Sequence, residues 1–210
     1  DTSYNDTGVE TIQGYDIKNI ADQAFGMVNL RSAFVNSINT YFASKTNDLG
    51  RDKYKELAEK FMINKDYEFD MDKNNAIIPF DDLNQVDLAM TGFGYGMTQI
   101  SPLHMAMITS AIANEGVMLK PRLVNKITDK EKKTVYEAED EVLSKVTNKD
   151  TAEKIREMMV GVVNEGTGRK AYLDSTQIAG KTGTADKSDG NLDAWFVGFA
   201  PAYDPQIAVA

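Results

Sequence analysis

The chain has 210 residues, 42% hydrophobic and 26% charged, enough for one domain with a real core; collagen-like, low-complexity and wholly disordered sequence are excluded. Its 32 Asp and Glu outnumber 23 Lys and Arg, and the net charge of −9 argues against a nucleic-acid partner or an anionic membrane surface. With no Cys and one His there is no disulfide, thiol nucleophile or multi-histidine metal site, and no metal or other cofactor is expected. Chemistry must run on hydroxyls, lysines, carboxylates and backbone.

In chain order, Asp1 to Asp6 is polar, with neither an initiator Met nor a basic leader. No stretch approaches the about 18 consecutive apolar residues of a membrane span. Residues 26–62 read as helical in pieces, broken near Asn36-Ser37-Ile38-Asn39 and again at Asn47 to Gly50. Within Arg51 to Met62, Tyr54, Leu57, Ala58 and Phe61 follow the i, i+3, i+4, i+7 spacing of an amphipathic helix. Residues 64–82 are acidic and irregular and read as a surface loop. Ser101-Pro102 supplies an N-cap and a first-turn proline. The helix it starts, Leu103 to Ala113, is apolar nearly all round and so should be buried, with Asn114-Glu115-Gly116 as its stop.

Residues 120–137 suggest two short strands around the charged turn Asp129 to Lys133. Thr147 with Asp150 resembles a capping box opening a helix. That helix carries a stripe of Ile155, Met158, Met159, Val162 and Val163 and ends at Gly166-Thr167-Gly168. Three β-like runs follow, 177–185, 194–200 and 207 onward, too close together for crossover helices and therefore antiparallel. The fold class is α+β: an antiparallel β-sheet packed against a helical cluster. Gln206 to Ala210 reads as a strand cut off at its start, so the chain is expected to be a segment of a longer protein, incomplete at both ends.

Two short motifs could carry chemistry. In Gly180-Lys181-Thr182-Gly183-Thr184 a lysine on a strand is flanked by small and hydroxylated residues. That leaves an edge along which a ligand carboxylate or carbonyl can lie. A phosphate loop does not fit, since its first glycine would fall on Ser175. In Ser37-Ile38-Asn39 a hydroxyl and an amide, two apart on a turn between helices, can both face one cleft. Taken alone, the first is also readable as a glycine-rich edge strand and the second as a helix cap.

Ser-x-Asn followed by Lys-Thr-Gly resembles two of the three signatures of penicillin-binding proteins and serine β-lactamases. The likeness extends to Leu30 through Phe42, Gly92 to Gly96, Thr98 to Ala106, Ala113 to Gly116, Gly166-Thr167-Gly168 and Ala194 to Pro201, in the family's order. At His104 the family usually has Gln. The chain is identified as a member of the bacterial penicillin-binding protein transpeptidase family, over nearly its whole length. The departure is the Ser-x-x-Lys nucleophile motif: none of the nine serines has a lysine three residues on. The nucleophile is expected upstream of Asp1, and this segment alone should form no acyl-enzyme.

The resemblance implies a peptidoglycan D,D-transpeptidase acylated by β-lactams, acting on stem peptides ending in D-Ala-D-Ala. It implies that Ser37 relays a proton, Asn39 holds the donor amide and the catalytic lysine, and Lys181 attracts the substrate carboxylate. Thr182 and Thr184 would bind that carboxylate, the Thr184 N–H would form half of the oxyanion hole, and Gly183 would leave room for substrate. It further implies an extracytoplasmic location, an N-terminal anchor outside this segment, and as partners the cell-wall synthesis machinery and the upstream part of the same domain. Two other functions share the motifs: a serine β-lactamase or β-lactam sensor, and a catalytically silent scaffold. The 144 residues between Ser37 and Lys181 are long for a compact β-lactamase.

Weaker features take bland readings. Asp70-x-Asp72-x-Asn74 begins like a calcium loop but has Asn75 where Gly belongs and Asp81 where Glu belongs, so a solvated acidic loop is expected. Gly92-x-Gly94-x-Gly96 lacks the dinucleotide spacing, and the family resemblance makes it a tight turn near the cleft. His104 should be a hydrogen-bonded core residue, Met158 and Met159 are expected to serve in the interior, and Trp195 is expected to pack or else to line the cleft rim.

Overall fold

In a computed structural model, residues 3–186 and 190–210 are described. Asp1, Thr2 and Ser188 of the sequence reading lie outside them. One end of the molecule is built from three regions of the chain, the third far from the first two in sequence. The first is N-terminal: β1 (Tyr4–Asp6) pairs antiparallel with β4 (Gly26–Val28), and β2 (Val9–Ile12) with β3 (Tyr15–Lys18). The sequence reading had given residues 26–28 to a helix and nothing to this strand region. The strands here are three or four residues long and polar on one side, too short to show a period.

The second region is the helical cluster: α1 (Leu30–Asn36), α2 (Asn39–Leu49), α3 (Arg51–Lys60), α4 (Gln85–Thr91) and α5 (Pro102–Ala113). Its breaks fall where the sequence places them. Ser37 ends α1 with φ 57 and ψ 50, and Gly50 separates α2 from α3 with φ 79. Ser101 caps α5 by accepting from the His104 N–H at 3.2 Å, and Pro102 stands in its first turn. His104 is fully buried; its Nε2 bonds the Phe61 carbonyl at 2.8 Å, and burial pushes its imidazole below the usual histidine range. Residues 64–82 are irregular as expected, but they are not merely a surface loop. Tyr67, Ala76, Ile78 and Phe80 are buried, Phe80 and Ile78 against α3 and Leu88 of α4. Apolar residues scattered without helical or strand spacing carry no periodic signal, so the acidic residues between them dominate the reading.

The third region is the C-terminal sheet, order β11-β10-β9, antiparallel throughout: β9 (Ala179–Asp186), β10 (Leu192–Ala200) and β11 (Ile207–Val209). Before it, β5 (Val117–Leu119) pairs with β8 (Val142–Lys145) and encloses the hairpin of β6 (Lys126–Thr128) and β7 (Thr134–Glu137). The hairpin was expected; the β5–β8 pair was not. The helix α6 (Lys149–Asn164) follows, capped by Asn148, whose side chain accepts from the Thr151 N–H, and not by Thr147 as the sequence suggested. An Asn satisfies the orphan amides as well as a Thr, so the two neighbouring candidates compete on equal chemistry.

Met159, Val160, Val162 and Val163 of α6 are buried, with Ile155 and Met158 half-buried. Met159 and Val160 pack with Ile112 of α5 and with Ala179 and Phe199 of the sheet, so both helices lie under the strands. Trp195 is half-buried on β10 opposite Gly183.

Candidate functional site

The three regions meet at an open cleft of about 890 Å³. Ser37, Asn39, Lys181, Thr182, Gly183 and Thr184 all line it. The Lys181 ammonium donates to Ser37 Oγ at 2.9 Å and to its neighbour's carbonyl, Thr182 O, at 2.7 Å. A bond joining residues 144 positions apart therefore ties the end of α1 to the strand β9. The Phe34 ring lies 5.8 Å from the same ammonium. Burial pushes the Lys181 pKa down to about 8, since removing water from an ammonium disfavours its charged form.

Local structure explains why these atoms converge. Ser37 is held in the left-handed region, uncommon for a residue with a Cβ, and its N–H still bonds back to the α1 carbonyls of Ala33 and Phe34. The αL turn reverses the chain between two helices and leaves the Ser37 hydroxyl in the cleft. Strain of about 1–3 kcal/mol at such a residue persists only where its surroundings over-determine it. Behind it, the turn after α6 presses on the same place. A Cβ on Gly166 would sit 2.3 Å from the Val35 carbonyl oxygen, so only glycine fits there. This contact sets Thr167 beside the strand, where its hydroxyl meets the Thr182 hydroxyl at 2.6 Å.

The strand itself runs close to its supports. At Gly180 an added Cβ would lie 2.5 Å from the Phe196 ring and 3.2 Å from Val163, so β9 sits tight against β10 and α6. Gly183 leaves the strand surface low beside Trp195. Asn39, the first residue of α2, donates its side-chain amide to the Lys18 carbonyl at 3.1 Å. Sequence reasoning had assigned that amide to substrate and to a catalytic lysine; within this chain its partner is the end of β3.

Several cleft residues were not singled out individually in the sequence, although Phe34 and Phe42 lie in the Leu30 to Phe42 segment of the family likeness and Phe93 and Tyr95 in the Gly92 to Gly96 turn expected near the cleft. Tyr15 to Ile20 forms one wall, and Phe34, Phe42, Phe93 and Tyr95 supply aromatic surface. Thr167 was noted as part of a helix-ending Gly-Thr-Gly and of the family likeness but not as a site residue, although its hydroxyl sits in the cleft beside the Lys-Thr-Gly strand. Among the described residues no group of three or more His, Asp or Glu could hold a metal ion, and no helix is long and apolar enough to cross a membrane. The acidic residue Asp70 is engaged in the fold, accepting from the Leu123 and Val124 N–H groups.

A helical cluster thus packs against an antiparallel sheet, and at their junction a serine hydroxyl is bonded to a strand lysine on an open cleft. Residues 1–210 match the penicillin binding protein transpeptidase domain, and the chain belongs to that family. It is 32% identical over 197 residues to penicillin-binding protein 3 of Bacillus subtilis, covering 89% of this chain and 28% of that protein. It is 29% identical to the peptidoglycan D,D-transpeptidase PbpA of Mycolicibacterium smegmatis, covering 87% of this chain and 38% of that one. Among solved structures, the D,D-transpeptidase domain of a peptidoglycan glycosyltransferase from Eggerthella lenta superposes with a TM-score of 0.93. That match has 32% identity and covers 100% of this chain and 54% of the other. The penicillin G acyl-enzyme of penicillin-binding protein A from Mycobacterium tuberculosis gives 0.87 at 27% identity, covering 99% and 48%. The chain thus spans 28% and 38% of the length of these two curated relatives.

Proposed function

We propose that this chain is the part of a peptidoglycan D,D-transpeptidase domain that supplies the Ser-x-Asn and Lys-Thr-Gly sides of the cleft. The observation that carries the reading is the bond from Lys181 Nζ to Ser37 Oγ at the mouth of a cleft lined by Asn39 and Thr182 to Thr184. The nucleophilic serine and its lysine partner belong to residues outside this chain, since no serine here has a lysine three residues on.

In the longer protein that serine's hydroxyl oxygen adds to the carbonyl carbon of the penultimate D-Ala of a stem peptide, and its proton passes to the partner lysine. Collapse of the tetrahedral intermediate breaks the peptide bond. The terminal D-Ala leaves with a proton relayed through Ser37, giving an acyl-serine. An acceptor amine then attacks the acyl carbon, its proton returns through the same relay, and the serine is released. Lys181 draws in the substrate's terminal carboxylate, with the Thr182 and Thr184 hydroxyls as further donors. The Thr184 N–H faces the developing oxyanion, a type of donor worth roughly 3 kcal/mol in the transition state. Asn39 orients the donor strand's amide, and Gly183 lets that strand lie against β9.

A β-lactam carries a carboxylate and a strained amide in the same relation and enters by the same route. The reading also entails work at the extracytoplasmic face of the cell membrane, with the cell-wall synthesis machinery and the rest of the same domain as partners. The test is release of D-Ala from a synthetic stem peptide by the polypeptide extended upstream through its Ser-x-x-Lys, with a chromogenic cephalosporin in parallel. D-Ala release with slow drug turnover supports the transpeptidase. Rapid drug turnover without D-Ala release would identify a β-lactamase, and inertness toward both would identify a silent scaffold.

A further inference from the structure

The helix α2 carries Asn39 at its first turn, yet its N-cap residue is Ile38, which has no side-chain oxygen and makes no cap hydrogen bond. The orphan amides of a helix start need a partner when buried. That partner comes from elsewhere in the chain: Asn19 Oδ1 accepts from the Thr40 N–H at 3.1 Å. Asn19 is itself oriented by Asp6. Its amide nitrogen lies 3.0 Å from each Asp6 oxygen and 2.9 Å from the Gln23 carbonyl. The Thr40 hydroxyl donates to Asp6 Oδ1 at 2.6 Å, and the Gly8 and Phe25 N–H groups donate to the same carboxylate.

Asp6 is 1% exposed and Thr40 fully buried, and neither lines the cleft. Burial alone would push the Asp6 carboxyl up, but the donors from Thr40, Phe25, Gly8 and Asn19 outweigh it and bring it below its ordinary value. The carboxylate thus stays charged beside the first turn of an 11-residue helix, where the helix dipole favours an anion. An ionised, buried carboxylate that accepts from two hairpin strands' surroundings and one helix start is a fixed point in the fold. The two residues it fixes each adjoin a partner in the Asn39 contact. Thr40 is next to Asn39, and Asn19 is next to Lys18, whose carbonyl receives the Asn39 amide.

We infer that Asp6 is a positioning residue for the Ser37-x-Asn39 turn, acting through the Asn19 amide and the Thr40 hydroxyl to set where Ser37 and Asn39 stand relative to Lys181. The inference rests on the acyl-transfer reading above. In the polypeptide extended through its nucleophile, the Thr40→Val, Thr40→Ser and Asp6→Asn variants are compared with the unsubstituted protein. The dissociation constant of the first penicillin complex, the rate constant of acylation and the melting temperature are measured for each. A fourth variant, Thr109→Val, removes a buried hydroxyl that bonds the Met105 carbonyl on α5, away from the cleft.

The expected result is an acylation rate constant lowered by about tenfold or more in Thr40→Val, since misplacing a catalytic group by about 1 Å costs on the order of 100-fold. Asp6→Asn should behave alike, Thr40→Ser should restore the rate, and Thr109→Val should lower the melting temperature while leaving acylation alone. Where Asp6→Asn fails to fold, the Thr40 pair decides. Unchanged acylation in Thr40→Val, or an equal loss in Thr109→Val at equal loss of stability, would overturn the inference. An unsubstituted protein that takes no drug would overturn the functional reading, and this inference with it.

Discussion

At the scale of single side chains, the cleft's electrostatics rest on Lys181, whose ammonium has lost much of its water and sits near a phenylalanine ring. Its pKa of about 8 in the folded chain lies below the 10.5 of an unperturbed lysine. Between those two values the unfolded chain binds more protons than the folded one, so this group's contribution to stability rises with pH over that interval. The catalytic contribution proposed for it runs the other way, because only the protonated form attracts a carboxylate. Penicillin acylation of the extended polypeptide should therefore decline as pH rises through about 8. The Lys181→Met variant should acylate far more slowly at every pH and lose the gain in denaturant midpoint that the parent shows between pH 8 and 10.5. Loss of the stability slope without loss of acylation would leave Lys181 a structural residue only.

The same scale shows what a sequence can and cannot disclose about a site. Ser37, Asn39 and Lys181 stood out because the motifs fix both residue type and spacing, and the structure gathers all three at one cleft. Thr167 and Tyr15 did not. They enter the cleft through tertiary contacts, and a lone threonine or aromatic residue carries no local mark of that. Asp6 is the sharpest case, a polar residue in a polar run that turns out to be nearly inaccessible.

At the scale of elements, α6 and β9 form the platform that presents Lys181. Replacing the Asn148 cap with Ala removes the acceptor for the Thr151 N–H and should cost about 1 kcal/mol of stability, read from urea denaturation. Acylation at a temperature well below melting should be untouched, since the cap lies at the far end of the helix from Gly166. The Gly180→Ala variant tests the other side of the platform. Its methyl would meet the Phe196 ring at 2.5 Å, so the strand or the ring must move. Overpacking of this kind costs typically 1–3 kcal/mol. Because the next residue is Lys181, acylation should fall along with the melting temperature. A fully active, fully stable Gly180→Ala protein would show that the strand has slack.

The helices α3, α5 and α6 were readable from end signals, Gly50 before α3, Ser101-Pro102 before α5 and the glycines after α6, joined in α3 and α6 by a period, whereas the seven-residue α4 drew no reading. The C-terminal strands were readable as β-like runs with turns between them. Residues 64–82 and the N-terminal hairpins were not. In the first, buried side chains follow no period. In the second, strands of three and four residues are shorter than the window over which alternation can be counted. Position 26 fell within the stretch read as helical, while the pairing of Gly26 with Asp6 depends on a strand 20 residues earlier.

At the scale of the whole molecule, the cleft exists only because three regions are brought to one place: the N-terminal strands, the Ser37 turn and the β9 strand. The central claim is that this assembly is one side of an acyl-transfer site whose attacking serine lies on residues outside the chain. Intact-protein mass spectrometry after benzylpenicillin treatment tests it most directly, with the upstream-extended polypeptide as the reactive species and the 210-residue chain as its matched blank. The account predicts a stable adduct of one drug molecule on the extended polypeptide and none on the blank. An adduct on the blank would mean that a serine within the chain is the nucleophile, and would contradict the account.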